Sequence, residues 1–237
     1  MSKIKGVLFD SGRVLNVPTT GNWYHSPNFI QILGKDKFYN VSKEKRKIAF
    51  KRARSYIDSI KVISSIEEEW EHFSKFFTIL DEEIPELEIH DDKKKLLVDD
   101  FVFNFDKYTF FNDVFEVIPK LSKSYKLGLV SDAWPSLRGV YKKAGLDAYF
   151  TSIIISSELG VTKPNEQMYK ASLKELDLSE NEVVFIDDNP ENCDGASKIG
   201  IRTIILDRSL ISRFNSRFIK KTQHKIVKNL YEIEKLI

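Results

Sequence analysis

The sequence predicts an α/β protein, a doubly wound parallel sheet into which an all-helical segment is inserted. Buried parallel strands consist of nearly continuous runs of Val, Ile, Leu and Phe, and from Phe110 onward such runs alternate with helical segments through short loops. This alternation is typical of consecutive βαβ units. A similar run, VLFD, stands by itself near the start of the chain. Because an isolated strand cannot bury both of its faces, we expect it to join the same sheet.

The elements of the α/β part follow one another in a regular order. After the first strand and the insertion, we expect strand KLGLVSD, a helix over 136–144, strand TSIIIS, a helix over 166–176, strand EVVFIDD, a helix over 191–199 and strand RTIILD. Gly145 and Gly200 follow two of these helices, as is common at helix C-termini. The final segment, IVKNLYEIEKLI, resembles a terminal amphipathic helix, and we interpret the basic stretch 213–225 before it as a solvated face.

The inserted segment has a different character. It is heavily charged, and its apolar residues recur at helical spacing, which predicts a helical bundle. Ser42 is the expected N-cap of one long helix, and Ser65 with Glu68 forms the capping-box pattern of the next. Asp91 or Asp92 is expected to begin another.

This organisation predicts two domains, and the composition indicates which partners and which cellular location to expect. We predict an α/β core domain of residues 1–17 and 107–237 and a helical domain of residues 18–106. The 37 basic residues nearly balance the 35 acidic ones, so no global field attracts nucleic acid or membranes. Cys193 is the only cysteine, which excludes an intrachain disulfide, and no signal-peptide-like apolar region precedes the first strand. We expect a cytoplasmic protein that binds neither nucleic acid nor membrane, of undetermined oligomeric state.

Polar residues end the predicted strands or occupy the loops between them. Ligands of open α/β sheets bind beyond the carboxyl ends of the strands, so these residues are the candidates for chemistry: Asp10, Ser131, Asp132, Lys163, Asp187 and Asp188. Clustered carboxylates repel one another unless a cation bridges them or a proton is shared, and oxygen-only ligands favour Mg²⁺. Considered alone, Asp10 has three interpretations, which are a nucleophile, a metal ligand and a turn-forming residue.

Lys163 and Ser131 have the chemistry of an anion site. Pro164 restricts Lys163 to an extended backbone and sets the start of the next helix. A lysine between two acid-bearing strands can balance their charge and hold an anionic substrate. Ser131, at a strand-to-helix turn, offers a hydroxyl and a backbone N–H to an anion.

These segments together resemble the haloacid dehalogenase superfamily, whose four motifs occur in this order. FDSGRVL resembles its nucleophile motif, Ser131 its hydroxyl motif, Lys163-Pro164 its lysine motif and FIDDNPEN its acidic motif. The helical insertion after the first motif resembles the cap of this family. The resemblance implies a Rossmann-like core with a helical cap, and a Mg²⁺-dependent phosphatase that acts on a small phosphorylated metabolite.

The resemblance also implies roles for individual residues. Asp10 would attack phosphorus to form an aspartyl-phosphate, and Ser131 and Lys163 would hold the phosphoryl oxygens. Mg²⁺ would be bound by Asp10, the carbonyl of Gly12 and Asp188, while Asp187 would orient Lys163 or bind the metal through water.

Further substrate contacts are expected around the same motifs. Ser11, Gly12 and Asp132 are adjacent to the residues that hold the phosphoryl group. The loop between the first motif and the cap overhangs the active site in this family, so we expect Trp23 and His25, with Trp134 after the hydroxyl motif, to shape the substrate pocket.

Gly12 departs from the family pattern. Most phosphatases of the superfamily have a second Asp there as general acid and base, a role worth about 10²- to 10⁴-fold in rate. Three alternatives follow: a phosphatase whose leaving group needs no such acid or obtains a proton from the cap or solvent, a 2-haloacid dehalogenase-type hydrolase, and a weakly active or non-catalytic phosphate-binding protein. The pair Asp187 and Asp188 favours the phosphatase, because a dehalogenase works without metal. We interpret Arg13 as an outward-pointing loop residue.

Overall fold

The structure is a computed structural model that describes residues 3–208 and 223–237. Its strands are β1 (Gly6–Phe9), β2 (Asn16–Pro18), β3 (Tyr108–Phe110), β4 (Lys126–Ser131), β5 (Ser152–Ile155), β6 (Val183–Asp187), β7 (Arg202–Leu206) and β8 (Lys225–Val227). Its helices are α1 (Phe29–Leu33), α2 (Lys35–Asn40), α3 (Lys43–Ser59), α4 (Ile66–Glu83), α5 (Asp91–Phe103), α6 (Asn112–Leu121), α7 (Leu137–Lys143), α8 (Ser156–Leu159), α9 (Glu166–Leu176), α10 (Pro190–Lys198) and α11 (Leu230–Glu234).

The main sheet has six strands in the order β5-β4-β1-β6-β7-β8. All its neighbouring strands run parallel, which confirms the predicted doubly wound α/β, Rossmann-like fold. The chain builds outward from β1 in both directions, so the switch in strand order lies at β1. This is the place where open α/β sheets bind their ligands. β2 and β3 form a separate two-stranded sheet.

Close packing of a helix on the sheet explains one glycine of β4. A Cβ at Gly128 would lie 2.6 Å from Leu8 Cδ2 and 2.6 Å from Ser172 Oγ, distances too short for real side chains. The absence of a side chain therefore allows α9 to lie directly against β4. Interior packing of this density keeps the strand ends in fixed positions.

The end of the chain differs from the prediction. IVKNLYEIEKLI was expected to be one amphipathic helix, but its start belongs to β8, which pairs with β7. The helix α11 begins only after Asn229, whose side chain accepts a hydrogen bond from Glu232 N. Pairing with β8 satisfies the backbone groups of β7, which would otherwise be an open sheet edge. Most of the predicted basic stretch 213–225 lies outside the described residues.

The described chain divides into two compact units. One consists of residues 1–17, 110–133 and 141–237 and contains the main sheet, and the other, here called the helical unit, consists of residues 18–109 and 134–140. The predicted helical domain was the single segment 18–106. The helical unit therefore also contains a short segment that follows β4 in sequence. Among the helices that the structure describes, none combines the length and apolar character required to cross a bilayer.

The helical unit is organised around an aromatic-rich core. Phe73, Phe76 and Phe77 of α4 are fully buried there. Ser42 caps α3 as predicted, accepting a hydrogen bond from Lys45 N. Ser65 caps α4 by accepting one from Glu68 N, while the Glu68 carboxylate accepts from Ser64 N rather than from Ser65. The capping box is thus shifted by one residue.

A buried polar network holds the segment 134–140 within the helical unit. The Glu69 carboxylate accepts hydrogen bonds from Ser136 N, at 2.7 Å, and from Ser136 Oγ, at 2.6 Å. Lys107 Nζ donates to the same Ser136 Oγ and to the carbonyl of Phe101. Since buried charges are costly unless they are paired and hydrogen-bonded, the network explains how Glu69 and Lys107 are tolerated in the interior.

Candidate active site

The central strand places Asp10 beside the ends of two neighbouring strands. Asp10 directly follows β1, and its backbone N–H donates to the carbonyl of Ile186 in β6 at 2.9 Å. Because β1 pairs in register with both β4 and β6, the terminal residues Ser131 and Asp187 lie on either side of Asp10 at the same edge. All three are buried. The parallel topology thus brings these predicted site residues together.

Lys163 connects two of the carboxylates. Its Nζ donates a hydrogen bond to Asp10 Oδ1 and another, of 2.9 Å, to Asp187 Oδ2, and its side chain is only 2% exposed. The backbone N–H of Lys163 donates to Asp132 Oδ1 at 3.0 Å. Asp132, expected to contact substrate, therefore also holds the lysine loop in place.

Close packing further fixes the lysine loop. A Cβ at Gly195 of α10 would lie 2.5 Å from the Cβ of Pro164 and 2.7 Å from its carbonyl oxygen. Only glycine allows the helix to approach Pro164 so closely. The position of Lys163 is consequently determined from both sides of its loop.

Asp187 has partners that the sequence analysis did not anticipate. Its Oδ1 accepts a hydrogen bond from Asn189 N at 2.7 Å, and its Oδ2 accepts one from Asn192 Nδ2 at 3.0 Å in addition to that from Lys163. The available signal was the position of Asn192, five residues after Asp187 and in the first turn of the helix that follows β6. Both carboxylate oxygens of Asp187 thus already accept hydrogen bonds from protein groups, one of which is Lys163.

Asp188 has a more open environment. Its side chain is 25% exposed, and Arg13 Nη1 lies 3.6 Å from its Oδ2. Arg13 was interpreted as outward-pointing, and its side chain is indeed 68% exposed, yet it contributes positive charge to the site. A positive φ of 61° at Arg13 is uncommon for a residue with a side chain and belongs to the turn after Asp10.

Negative charge is concentrated in this site. One carboxylate oxygen from each of Asp10, Asp187 and Asp188 lies within 4.8 Å of the others. Burial raises the pKa of Asp10 to about 8, with Lys163 opposing the increase and Asp187 adding to it. Burial also raises the pKa of Asp188 to about 6, assisted by Asp187 and opposed by Arg13. Both carboxyl groups would therefore ionise more readily beside an added cation.

The surrounding carboxylates raise the pKa of Lys163 and so favour its charged form. Burial by itself lowers the pKa of Lys163, but Asp10, Asp187 and Asp132 more than offset this effect and raise it above the ordinary value. Lys163 is thus a permanent cation. The cluster fits a hard divalent ion such as Mg²⁺, because its donors are all oxygens and its charge exceeds what one lysine neutralises.

Ser11 faces the interior of the α/β unit. Its Oγ lies 2.9 Å from Tyr141 Oη and accepts a hydrogen bond from Asn16 Nδ2 at 2.8 Å. Gly12 forms an isolated bridge with Asn16, and Arg13 N donates to the carbonyl of Asn16 at 2.6 Å. These contacts tie the turn after Asp10 to the start of β2. They also give the Ser11 hydroxyl two protein partners, and the predicted substrate contact of Ser11 stays a prediction.

The three predicted pocket residues all belong to the helical unit. The ring of Trp134 packs against Phe73 at a centroid distance of 5.0 Å, and that of Trp23 packs against Tyr108 at 5.2 Å. His25 stacks on Phe29 with centroids 4.3 Å apart. Their part in shaping a substrate pocket stays a prediction.

The motif geometry agrees with a comparison against known families. A family model described as haloacid dehalogenase-like hydrolase matches residues 68–206. The chain belongs to this family. The matched range includes Ser131, Lys163, Asp187 and Asp188, and it begins after Asp10.

Relatives of this chain are named for more than one activity. The chain is 31% identical to the phosphoserine phosphatase of Thermus thermophilus over 86 residues, which are 35% of this chain and 34% of that protein. It is 26% identical to (S)-2-haloacid dehalogenase 4A of Burkholderia cepacia over 121 residues, 50% of this chain and 52% of that protein. The matches therefore span between a third and about half of these curated relatives.

Solved structures show the same fold over nearly the whole chain. A HAD phosphatase from Thermococcus onnurineus has a TM-score of 0.68 and 21% identity, with 98% of this chain and 97% of that chain covered. A family enzyme from Bacteroides thetaiotaomicron, solved in complex with magnesium and inorganic phosphate, has a TM-score of 0.58 and 20% identity, with 86% and 94% covered. At these identities the likeness concerns the fold.

Proposed function

We propose that this hydrolase is a Mg²⁺-dependent phosphatase that acts on a small phosphorylated metabolite through an aspartyl-phosphate on Asp10. The observation that carries the proposal is the approach of Asp10, Asp187 and Asp188, whose carboxylate oxygens lie within 4.8 Å of one another. Lys163 is the one buried cation among the described residues that contacts this cluster. A phosphate dianion brought to such a site needs additional positive charge.

Asp10, the carbonyl of Gly12 and Asp188 would hold the Mg²⁺, and the ion would supply positive charge to the attacking carboxylate and the phosphoryl oxygens. Asp187 is better suited to orienting Lys163, since its oxygens already accept hydrogen bonds from Lys163, Asn189 and Asn192. The family enzyme from Bacteroides thetaiotaomicron, which has the same fold and was solved with magnesium and inorganic phosphate, supports magnesium-dependent phosphoryl chemistry on this fold.

The chain's own residues account for the chemical steps. A carboxylate oxygen of Asp10 attacks phosphorus, and the bond from phosphorus to the leaving oxygen breaks. The leaving group departs as a stable anion or takes a proton from solvent, because Gly12 supplies no acid. Lys163 and the hydroxyl and backbone N–H at Ser131 stabilise the charge on the phosphoryl oxygens. Water then attacks the aspartyl-phosphate at phosphorus, which releases inorganic phosphate and regenerates the Asp10 carboxylate.

A second candidate is a 2-haloacid dehalogenase-type hydrolase, and Gly12 is the observation that favours it. A halide departs without a proton, so such an enzyme needs no acid at this position. The relative from Burkholderia cepacia is named for that activity. A third candidate, a weakly active or non-catalytic phosphate-binding protein, also follows from the missing acid.

A substrate panel distinguishes these candidates. Purified protein is incubated with sugar phosphates, acyl phosphates, nucleotides and 2-haloacids, with Mg²⁺ or with EDTA, and both phosphate and halide release are measured. We expect phosphate release only with Mg²⁺, and none from Asp10→Asn. Halide release that EDTA does not affect would establish the dehalogenase instead. Absence of both products would favour the phosphate-binding protein.

A further inference from the structure

A cavity of about 400 Å³ lies within the helical unit, between the loop that precedes α1 and one face of α3. Its volume is in the range of small-molecule sites in proteins. Every residue that lines it belongs to the helical unit. The cavity therefore shares no residue with the carboxylate cluster described above.

Four cations line this cavity. Lys43, Arg46, Lys47 and Arg54 all belong to α3 and occupy positions i, i+3, i+4 and i+11, which fall on one face of a helix. No carboxylate is among the lining residues in the described part of the chain. The wall formed by α3 thus has a strong positive charge.

Two cations on this face lack the ion-pair partners that two other cations of α3 have. Lys45 forms an ion pair with Glu86, and Arg52 forms one with Glu83. Within residues 3–208 and 223–237, Arg46 and Lys47 make no ion pair with a protein carboxylate. Like charges one helical turn apart repel each other, so an anion in the cavity would relieve this repulsion.

Aromatic rings hold the arginine side chains in place. The guanidinium carbon of Arg46 lies 4.5 Å from the ring centroid of Phe38 and 5.3 Å from that of Tyr39. Arg54 lies 5.4 Å from the ring centroid of Tyr24. A guanidinium placed over a ring keeps its terminal N–H groups in the fork geometry that binds phosphate or carboxylate in a bidentate manner.

The side chain of Arg46 contains a hydrogen-bond donor that has no partner among the residues that the structure describes. Arg46 Nε is buried and has no hydrogen-bond partner, whereas Arg54 Nε donates to the carbonyl of Phe50. Buried donors in native proteins are nearly always satisfied. The unsatisfied donor thus belongs to Arg46, one of the four cations that line the cavity.

We propose that this pocket binds a small anion that carries an aromatic ring, such as an aryl phosphate or a nucleoside phosphate. The cations bind the anionic group, and Tyr39, which is exposed, and Phe50, which is half-buried, provide apolar surface for the ring. This inference does not depend on the phosphatase activity proposed above.

Binding is tested in a protein that cannot turn over the probe. Asp10→Asn protein in EDTA is titrated with adenosine 5′-monophosphate, adenosine and inorganic phosphate by isothermal titration calorimetry. We expect the nucleotide to bind at least about tenfold more tightly than either fragment, because charged hydrogen bonds and ring contacts act together. Equal affinity for the nucleotide and adenosine, or for the nucleotide and phosphate, would overturn the proposal.

Variants locate the binding to this pocket. In the same background, Arg46→Ala and Lys47→Ala are each expected to weaken nucleotide binding by about tenfold, the cost of a charge-assisted contact. Lys51→Ala removes an exposed cation of the same helix that does not line the cavity, and we expect unchanged affinity. Lys47 is exposed, so its replacement leaves the core intact, and circular dichroism verifies folding. Equal losses in Lys47→Ala and Lys51→Ala would show nonspecific attraction and refute the site.

Discussion

The ammonium nitrogen of Lys163 lies 2.9 Å from Asp187 Oδ2 and binds Asp10 with another of its hydrogens. A single buried cation is therefore shared by acids from two neighbouring strands. Asp187 is itself held by Asn189 and Asn192, so the lysine is positioned by a chain of fixed contacts. This arrangement makes Lys163 the residue on which both the charge balance and the proposed chemistry depend.

Replacing Lys163 by Met should affect both stability and turnover. Loss of the cation leaves two buried carboxylates without their shared partner, which we expect to destabilise the protein by about 3–5 kcal/mol in EDTA. Turnover should fall by at least about 10²- to 10³-fold, because a positive group that stabilises the phosphoryl oxygens is removed. Urea unfolding and phosphate release measure the two effects.

A matched control is Lys170→Met. Lys170 forms an exposed ion pair with Glu166, one helical turn away, and such pairs contribute less than about 1 kcal/mol. We expect near wild-type stability and activity for this control. Wild-type turnover in Lys163→Met would contradict the assigned role.

Mg²⁺ should stabilise the folded protein in a way that depends on Asp188. A ligand at about 100 times its dissociation constant adds about 2.7 kcal/mol, which corresponds to about 5–10 °C in melting temperature for a chain of this size. In Asp188→Asn the shift should be much smaller, while the metal-free variant should melt at a higher temperature than metal-free wild type, because one of three repelling carboxylates is neutralised. Differential scanning fluorimetry measures both changes.

The exposed substitution Asp177→Asn serves as the control for metal binding. It changes the net charge by the same amount away from the cluster and should retain the full Mg²⁺ shift. A Mg²⁺ shift of the same size in Asp188→Asn and wild type would argue against Asp188 as a metal ligand.

Gly12→Asp tests whether proton supply limits the enzyme. The backbone of Gly12 does not have a positive φ, so a side chain is compatible with its conformation. If an acid is missing, phosphate esters with poor leaving groups should gain up to about 10²-fold in kcat/KM, whereas esters with good leaving groups should change little. Gly12→Asn is the matched control, with similar volume and no acid. Equal responses of both substrates would show that another group donates the proton.

Acid should destabilise the helical unit through His25. Burial lowers the pKa of His25 to about 4, with a further contribution from Arg46. Between about pH 6.5 and pH 4 the unfolded chain binds a proton at this residue and the folded chain does not, so stability falls as the pH is lowered. The loss is on the order of 2–3 kcal/mol across this interval.

His25→Phe keeps the ring that stacks on Phe29 and removes the titration. We expect the difference between the urea midpoints at pH 7 and pH 5 to decrease in this variant. His90→Gln, which changes an exposed histidine, should keep the wild-type difference. An unaltered pH dependence in His25→Phe would assign the acid sensitivity to other groups.

The pattern of the sequence was sufficient for the fold and the family. Apolar runs ending in Asp10, Ser131 and Asp187 predicted parallel strands that share one edge, and both the sheet order and the family match confirm it. Helices and strands could be predicted from short sequence patterns because most of them carry such patterns themselves, as Ser42 does at the start of α3. The prediction was wrong for the final segment, where pairing of β8 with β7 outweighs helical periodicity.

Only the tertiary structure decided which of the two adjacent acids, Asp187 or Asp188, contacts Lys163. Asp187 and Asp188 are adjacent in sequence and chemically identical, yet one is buried against Lys163 and the other is partly exposed beside Arg13. Neighbouring residues at a strand end point in different directions, and which direction meets the lysine loop depends on contacts between distant segments. The sequence by itself determined which residues reach the edge of the sheet. Contacts between distant segments, such as the packing of Pro164 on Gly195 and the hydrogen bond of Lys163 N to Asp132, decided which of them meet.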